Sequence, residues 1–185
     1  MIQYGQTLDR SRPWTHVSFS HGATNAESFY RFDDVIVVNV YASLYVSGWV
    51  IGSANLEAKL PQATSYLQGV LAKLHAQFPQ KPIVVGEFGY PGGENGARGG
   101  ELQALATEAE FKGLSAPYVA GGALWLYARH TWATKAFYSE GNLISPYGYV
   151  SRDRKTSFPA LSVVERLYKE RAGTTNSPAE TKKEN

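Results

Sequence analysis

Short apolar segments alternate with amphipathic ones along most of the chain. Residues 34–41 (DVIVVNVY) and 82–88 (PIVVGEF) are nearly continuous runs of apolar, mostly β-branched residues. This pattern is typical of strands that are buried on both faces of a parallel sheet. Residues 14–20 (WTHVSFS) and 121–127 (GGALWLY) are weaker runs of the same kind. The pattern therefore predicts four strands.

Amphipathic helices are predicted after the later strands. A set of apolar residues at helical spacing, ended by Pro79, lies between the second and third strands; it comprises Leu67, Val70, Leu71, Leu74 and Phe78. Residues 101–114 and 158–171 show the same periodicity, and Pro159 suits the first turn of the last helix. Alternating strands and helices predict an α/β fold with a parallel sheet and right-handed crossovers.

Length and composition limit the classes of function. At 185 residues the chain is expected to form one domain, residues 1–172, with a disordered polar tail, 173–185. A net charge of +2 is too small to indicate nucleic-acid binding by itself, and no apolar run is long enough to span a membrane. The absence of Cys excludes thiolate chemistry, and the four His residues show no close metal-ligand spacing. We therefore expect no metal and no cofactor; the sequence leaves the compartment open.

Candidate chemistry lies at the carboxyl ends of the predicted strands, where α/β folds carry their sites. The residues at these places are His21, Asn39, Tyr41, Glu87, Tyr90, Trp125 and Tyr127. Glu87 is the most informative, because a charge at the end of an apolar strand is costly unless it is paired or solvated. On spacing alone, a strand-end Glu in an ion pair or in water is as good a reading as a catalytic carboxylate. Gly86 and Gly89 on either side leave room for close approach of a ligand or another backbone.

A glycine-rich loop, residues 91–100, follows the strand that ends near Glu87. Its position between a strand and a helix would suit a phosphate-binding loop. The sequence has neither the G-x-G-x-x-G spacing nor a Gly-Lys-Ser/Thr motif there, which favours an active-site loop instead.

Five segments together resemble glycoside hydrolase family 2, the retaining β-glucuronidase and β-galactosidase family. They are LDRSRPWTHVS, DDVIVVNVYASLY, PIVVGEFG, GGALWLY and YGYVSRDRKTSFPA, in the order of that family's strands five to eight and last helix. The resemblance runs from about Leu8 to Arg171. It implies that the chain is the C-terminal half of a (β/α)8 TIM barrel, a half-barrel with strands five to eight and their helices.

The resemblance also implies roles for individual residues. Glu87 stands where the family has its catalytic nucleophile. Asn39, Tyr41 and Tyr45 match residues of the strand-six pattern, and Trp125 matches a Trp that lines the sugar subsite. These residues are the expected contacts to a carbohydrate substrate. At Ser145-Pro146-Tyr147 the chain departs from the Asn-x-Lys that recognises a sugar carboxylate, so we do not expect specificity for uronic acids.

One part of the expected machinery is missing from this chain. A retaining glycosidase needs two carboxyl groups about 5 to 5.5 Å apart. In this family the acid/base is a Glu preceded by Asn at the end of strand four, and the chain contains no Asn-Glu dipeptide. Four strands cannot close a barrel that needs eight. We therefore expect association with an N-terminal half-barrel or a second copy, and weak or no activity of the chain alone.

Two hypotheses from different classes follow. The first is a retaining glycoside hydrolase acting on β-linked sugars, or the C-terminal portion of one, with Glu87 as nucleophile. The alternative is a non-catalytic carbohydrate-binding or assembly module that reuses half a barrel.

Overall fold

Four strands form one parallel sheet in the order of the chain. The structure, a computed structural model, describes residues 1–19, 27–46, 56–92, 98–128, 147–151 and 153–175. Its strands are β1 (Val17–Phe19), β2 (Ile36–Asn39), β3 (Ile83–Phe88) and β4 (Val119–Leu124), each paired in parallel with the next. Its helices are α1 (Ile2–Leu8), α2 (Glu27–Tyr30), α3 (Ala42–Tyr45), α4 (Leu56–Gln77), α5 (Gly99–Gly113) and α6 (Pro159–Thr175). The predicted α/β class with a parallel sheet is confirmed.

The last strand lies earlier than its sequence pattern predicted. β4 begins at Val119, and the two glycines that opened the predicted strand, Gly121 and Gly122, lie inside it. A side chain at Gly122 would come within 2.8 Å of Leu114, so the glycine permits close packing against the core. As a result, Trp125 lies just after the strand rather than within it.

The core lies between the sheet and the long helices. Ile36 and Val38 of β2 and Ile83 and Val85 of β3 have no exposed surface. They join the inner residues of α4, α5 and α6 in one apolar cluster. His75 of α4 lies partly buried, with its ring stacked on Tyr118 at a centroid distance of 4.0 Å.

The opposite face of the sheet is less covered. Val17 of β1 is 58% exposed, and Ala123 of β4 is exposed. A side chain built at Gly121 would meet nothing within 4 Å, in contrast to its neighbour Gly122. Within the described residues, β1 and β4 are the two edges of the sheet.

The last helix extends beyond its predicted end. α6 continues to Thr175, so the first residues of the predicted tail are helical, and residues 176–185 lie outside the described residues. In the part of the chain that is described, no helix is both long and apolar enough to cross a membrane.

Candidate active site

The ends of β2 and β3 bring Asn39 and Glu87 side by side. The two residues are register partners, and a bulge shifts the pairing between Val38 and Asn39. Just beyond, the backbone N–H of Val40 donates to the carbonyl oxygen of Glu87 at 2.8 Å. Side chains from two strands therefore meet at the carboxyl edge of the sheet, where α/β folds place their sites.

Tyr41 makes the central contact of the site. Its phenol donates a hydrogen bond to Glu87 Oε2 over 2.7 Å, and its side chain is almost fully buried. Burial raises the pKa of Tyr41 well above its ordinary value, and the bond to Glu87 raises it further. The phenol therefore keeps its proton over the whole physiological range and remains a donor to the carboxylate.

Two glycines shape the space around Glu87. A side chain at Gly86 would come within 2.7 Å of Asn39 Oδ1 and 2.9 Å of Val37 Cγ1. At Gly89, which has a φ of +156°, it would come within 2.6 Å of the Trp125 carbonyl oxygen. At Gly89 another backbone comes close, as expected. The space beside Gly86 is instead taken by the side chains of Asn39 and Val37.

An aromatic cluster borders the carboxylate. Tyr41, Leu126 and Tyr147 are buried together, and the partly buried Trp125 packs against them. The rings of Tyr41 and Tyr147 meet edge to face with centroids 5.6 Å apart, and the Tyr147 hydroxyl lies 3.0 Å from Ser43 Oγ. Burial raises the pKa of Tyr147 to about 12, so this phenol also stays neutral. The cluster gives Tyr41 a fixed ring position beside Glu87.

Asn39 has an unused acceptor. Its side chain is 4% exposed, and Oδ1 has no hydrogen-bond partner among the residues that the structure describes. A buried amide oxygen without a partner costs about 1–3 kcal/mol. A bound hydroxyl group at this edge of the sheet would remove that cost.

The structure does not bring all the predicted residues together. Tyr90 is 1% exposed and belongs to the core, whereas Tyr127 is 65% exposed. His21, the side chain of Tyr45 and much of the glycine-rich loop lie outside the described residues. Among the described residues, no group of three or more His, Cys, Asp or Glu could hold a metal ion.

Sequence reasoning missed two features of the site. Tyr147 was noted only for its departure from a family motif, yet it packs against Tyr41. Gln103, Thr107 and Glu110 of α5 have no exposed surface, although polar residues on a helix are usually solvated. Their spacing of four and then three residues places them on one face of the helix. That spacing was the available signal in the sequence. It would have indicated burial only if the neighbouring apolar stripe had been assigned to the same side of the helix.

Comparisons with known proteins concern the fold. No protein-family profile matches the chain, and no curated protein sequence matches it. Solved structures do. A β-glucuronidase from an uncultured Clostridium species superposes with a TM-score of 0.71 and 24% identity over 91% of this chain and 28% of its own. The Ruminococcus gnavus β-glucuronidase gives 0.70 and 23% over 91% and 28%. The chain resembles part of a β-glucuronidase in fold.

A third β-glucuronidase, from Faecalibacterium prausnitzii, superposes with a TM-score of 0.67 and 20% identity over 90% of this chain and 27% of its own. The chain thus spans little more than a quarter of the length of the enzymes it resembles. At these identities the likeness concerns the fold, so activity has to be argued from the site.

Proposed function

We propose that this chain is the nucleophile-bearing portion of a retaining glycoside hydrolase that acts on β-linked sugars. The observation that carries the proposal is the 2.7 Å hydrogen bond from the Tyr41 phenol to Glu87 Oε2 at the carboxyl edge of a parallel sheet. The likeness in fold to β-glucuronidases supports it.

In the proposed reaction Glu87 attacks the anomeric carbon. One carboxylate oxygen of Glu87 forms a bond to that carbon as the bond to the leaving oxygen breaks, which gives a glycosyl ester. A second carboxylic acid protonates the leaving oxygen and then takes a proton from the water that hydrolyses the ester. Tyr41 holds the carboxylate in place through its hydrogen bond. When the ester forms, Glu87 loses its charge, and the hydrogen bond weakens.

Neighbouring side chains are proposed to bind the sugar. Asn39 would accept a bond from a sugar hydroxyl through its unpartnered Oδ1. Trp125 would offer an apolar ring face to the sugar, and Tyr45 would contribute a further contact from the helix that follows Tyr41. We leave the identity of the sugar open, because the segment Ser145-Pro146-Tyr147 lacks the lysine expected for a uronic acid.

The second carboxyl group is proposed to come from another half-barrel. We assign residues 1–172 to strands five to eight of a (β/α)8 barrel with their helices; the first three residues of the predicted tail, 173–185, continue the last helix. The less covered face of the sheet and its two edge strands support this assignment, because parallel sheets are normally covered on both faces. We favour an N-terminal half, on the same or a separate chain, over a second copy. In a symmetric dimer Trp125, rather than a Glu, would stand in the place of the acid.

Covalent labelling tests the proposal directly. A dinitrophenyl 2-deoxy-2-fluoro-β-glycoside has a leaving group that departs without an acid, so it requires only the nucleophile. We expect mass spectrometry to find one glycosyl adduct on Glu87, formed by the chain alone or faster with an added N-terminal half-barrel. Glu87→Gln should abolish the adduct. Glu165→Gln, which changes an exposed carboxyl of α6, is the matched control and should leave it unchanged.

Two results would count against the proposal. An adduct that persists in Glu87→Gln would place the nucleophile elsewhere. Sugar binding that survives Glu87→Ala, with no adduct even when the N-terminal half is present, would favour the alternative of a non-catalytic carbohydrate-binding or assembly module.

A further inference from the structure

Helix α5 carries a fully buried amide at Gln103. Its side chain has no exposed surface, and Leu102 beside it and Ala106 one turn further on belong to the apolar core. Polar side chains are rarely buried unless they are hydrogen-bonded, so the partners of this amide indicate what it holds together.

The acceptors of the Gln103 amide come from two separate segments of the chain. Nε2 donates to the carbonyl oxygens of Tyr90 and Tyr147, both at 3.1 Å, and lies 3.4 Å from that of Gly148. Tyr90 follows β3, the strand that carries Glu87, whereas Tyr147 and Gly148 precede α6. The amide oxygen has no hydrogen-bond partner among the described residues, so the donor side of the amide accounts for its place in the core.

Packing fixes the stem of the Gln103 side chain. A side chain built at Gly92 would come within 2.4 Å of Gln103 Cβ and 2.6 Å of the Gly99 carbonyl oxygen. The backbone that leads from β3 to α5 therefore lies directly against the stem. Because the stem is enclosed in this way, the amide has little freedom to turn away from the carbonyl groups of Tyr90 and Tyr147.

Tyr147 continues the series of contacts to the carboxylate. Its backbone is held by Gln103, and its ring meets the Tyr41 ring edge to face with centroids 5.6 Å apart. The Tyr41 phenol in turn donates to Glu87 Oε2 at 2.7 Å. Close-packed interiors transmit displacements, because they leave little room for one side chain to shift alone. A displacement of the Tyr147 backbone is therefore passed on to the hydrogen bond that holds Glu87.

Thr107, four residues further along α5, provides a matched comparison. It also has no exposed surface, and its hydroxyl lies 2.9 Å from the hydroxyl of Tyr149. Tyr149 does not belong to the aromatic cluster that borders Glu87. Of these two buried polar side chains, Gln103 is the one whose hydrogen bonds lead to the Tyr41 ring.

We propose that Gln103 is a positioning residue for the Tyr41–Glu87 pair. By tying the segment after β3 to the segment before α6, its amide holds the Tyr147 ring against Tyr41, the donor to Glu87. The importance of this role for catalysis rests on the proposed function, but its test does not. Gln103 acts through Tyr147 and Tyr41, and it does not touch the sugar.

Carbon-13 NMR of protein labelled at the Cζ atoms of tyrosine tests the inference, because this resonance responds to the hydrogen bond of the hydroxyl. The Tyr41 resonance is assigned by its loss in Tyr41→Phe, and Glu87→Gln gives its position without the carboxylate. Gln103→Met keeps the length of the side chain and removes its donor. We expect this variant to shift the Tyr41 resonance toward its position in Glu87→Gln.

Two further variants separate positioning from a general loosening of the fold. Thr107→Val removes the other buried hydrogen bond of α5 and should leave the Tyr41 resonance at its wild-type position. Tyr147→Leu removes the ring through which Gln103 acts and should shift the resonance in the same direction. The double variant Gln103→Met/Tyr147→Leu should shift it no further than Tyr147→Leu alone, since both changes act through one contact.

Three results would overturn the inference. They are an unmoved Tyr41 resonance in folded Gln103→Met, an equal shift in Thr107→Val, and shifts that add in the double variant. If Gln103→Met does not fold, the wild type and Tyr147→Leu decide the question. The side-chain N–H groups of Gln103 should exchange slowly with solvent in the wild type; rapid exchange, or an unmoved Tyr41 resonance in Tyr147→Leu, would overturn the inference.

Failure of this inference and failure of the proposed function give different results. The NMR experiment needs neither a sugar nor a partner chain. A shift of Tyr41 in Gln103→Met, without any covalent adduct on Glu87 in the labelling experiment, would leave the positioning role standing and remove the glycosidase. An adduct on Glu87 with no shift of Tyr41 would do the reverse.

Discussion

The two faces of the β-sheet differ in how far they are buried. On the helix side, Val38 and Val85 have no exposed surface, whereas on the opposite side Val17 is 58% exposed. All three are valines in neighbouring parallel strands. The difference teaches that the main core lies on the helix side, while the opposite face is buried at Asn39 beside Gly86 and is open to a ligand or to further protein at Val17.

On the covered side, α5 also buries the carboxyl of Glu110, and changing this residue should give the largest effect on stability. The folded protein holds the Glu110 proton up to a pKa of about 8, whereas the unfolded chain releases it near the ordinary value of 4.5. Between these values the native state binds the extra proton, so stability falls as pH rises through this window and levels off above it.

Glu110→Gln should remove this dependence on pH. We expect its free energy of unfolding to match that of the wild type near pH 5 and to exceed it by several kcal/mol at pH 8.5, since each pH unit contributes at most about 1.4 kcal/mol. Urea denaturation at both pH values measures the difference, with Glu108→Gln as the control. If the free energy of unfolding changes with pH in the same way in the wild type and in Glu110→Gln, burial does not hold the carboxyl neutral.

A matched pair of valines tests the comparison itself. Val85→Ala removes two methyl groups from the closed core and should cost about 2 kcal/mol of unfolding free energy. Val17→Ala makes the same change on the less covered face and should cost less than about 0.5 kcal/mol. Urea denaturation of both variants measures the costs. Equal losses would mean that the open face is also covered, either by a second copy or by another part of the chain.

Much of the fold could be predicted from the sequence because the strands on the core side are continuous apolar runs. The runs around Ile36 and Ile83 placed two strands to within a few residues. β4 was misplaced because glycines carry no hydrophobic signal, and here Gly122 is packed by its neighbours rather than by its own side chain.

The site could be predicted only in part. A carboxylate at the end of an apolar strand is a local signal, so Glu87 and its neighbour Tyr41 could be selected from the sequence. Tyr147 could not, because its importance depends on its contact with Tyr41, which lies far away along the chain. Periodicity reports which side of a helix is apolar, and it does not reveal a polar stripe that is buried with it.

The smallest expected effect on stability comes from replacing each of two matched glycines with alanine. Gly86 and Gly121 both lie inside strands. An alanine at Gly121 would meet nothing within 4 Å, so it should stabilise the protein by about 0.5 kcal/mol through the lower entropy of the unfolded chain. An alanine at Gly86 gains the same entropic term but collides with Asn39 and Val37, so a net loss of about 1 kcal/mol is expected.

The two glycine variants should also differ at the site. In Gly86→Ala, relief of the collision has to move the Asn39 side chain or the strand that carries Glu87, so labelling of Glu87 by the fluoroglycoside should slow. In Gly121→Ala nothing near Glu87 has to move, and the labelling rate should equal that of the wild type. Equal labelling in both variants, with the expected loss of stability in Gly86→Ala, would mean that the close contact of Asn39 with Gly86 serves strand packing alone. Asn39 would then have no part in binding the sugar.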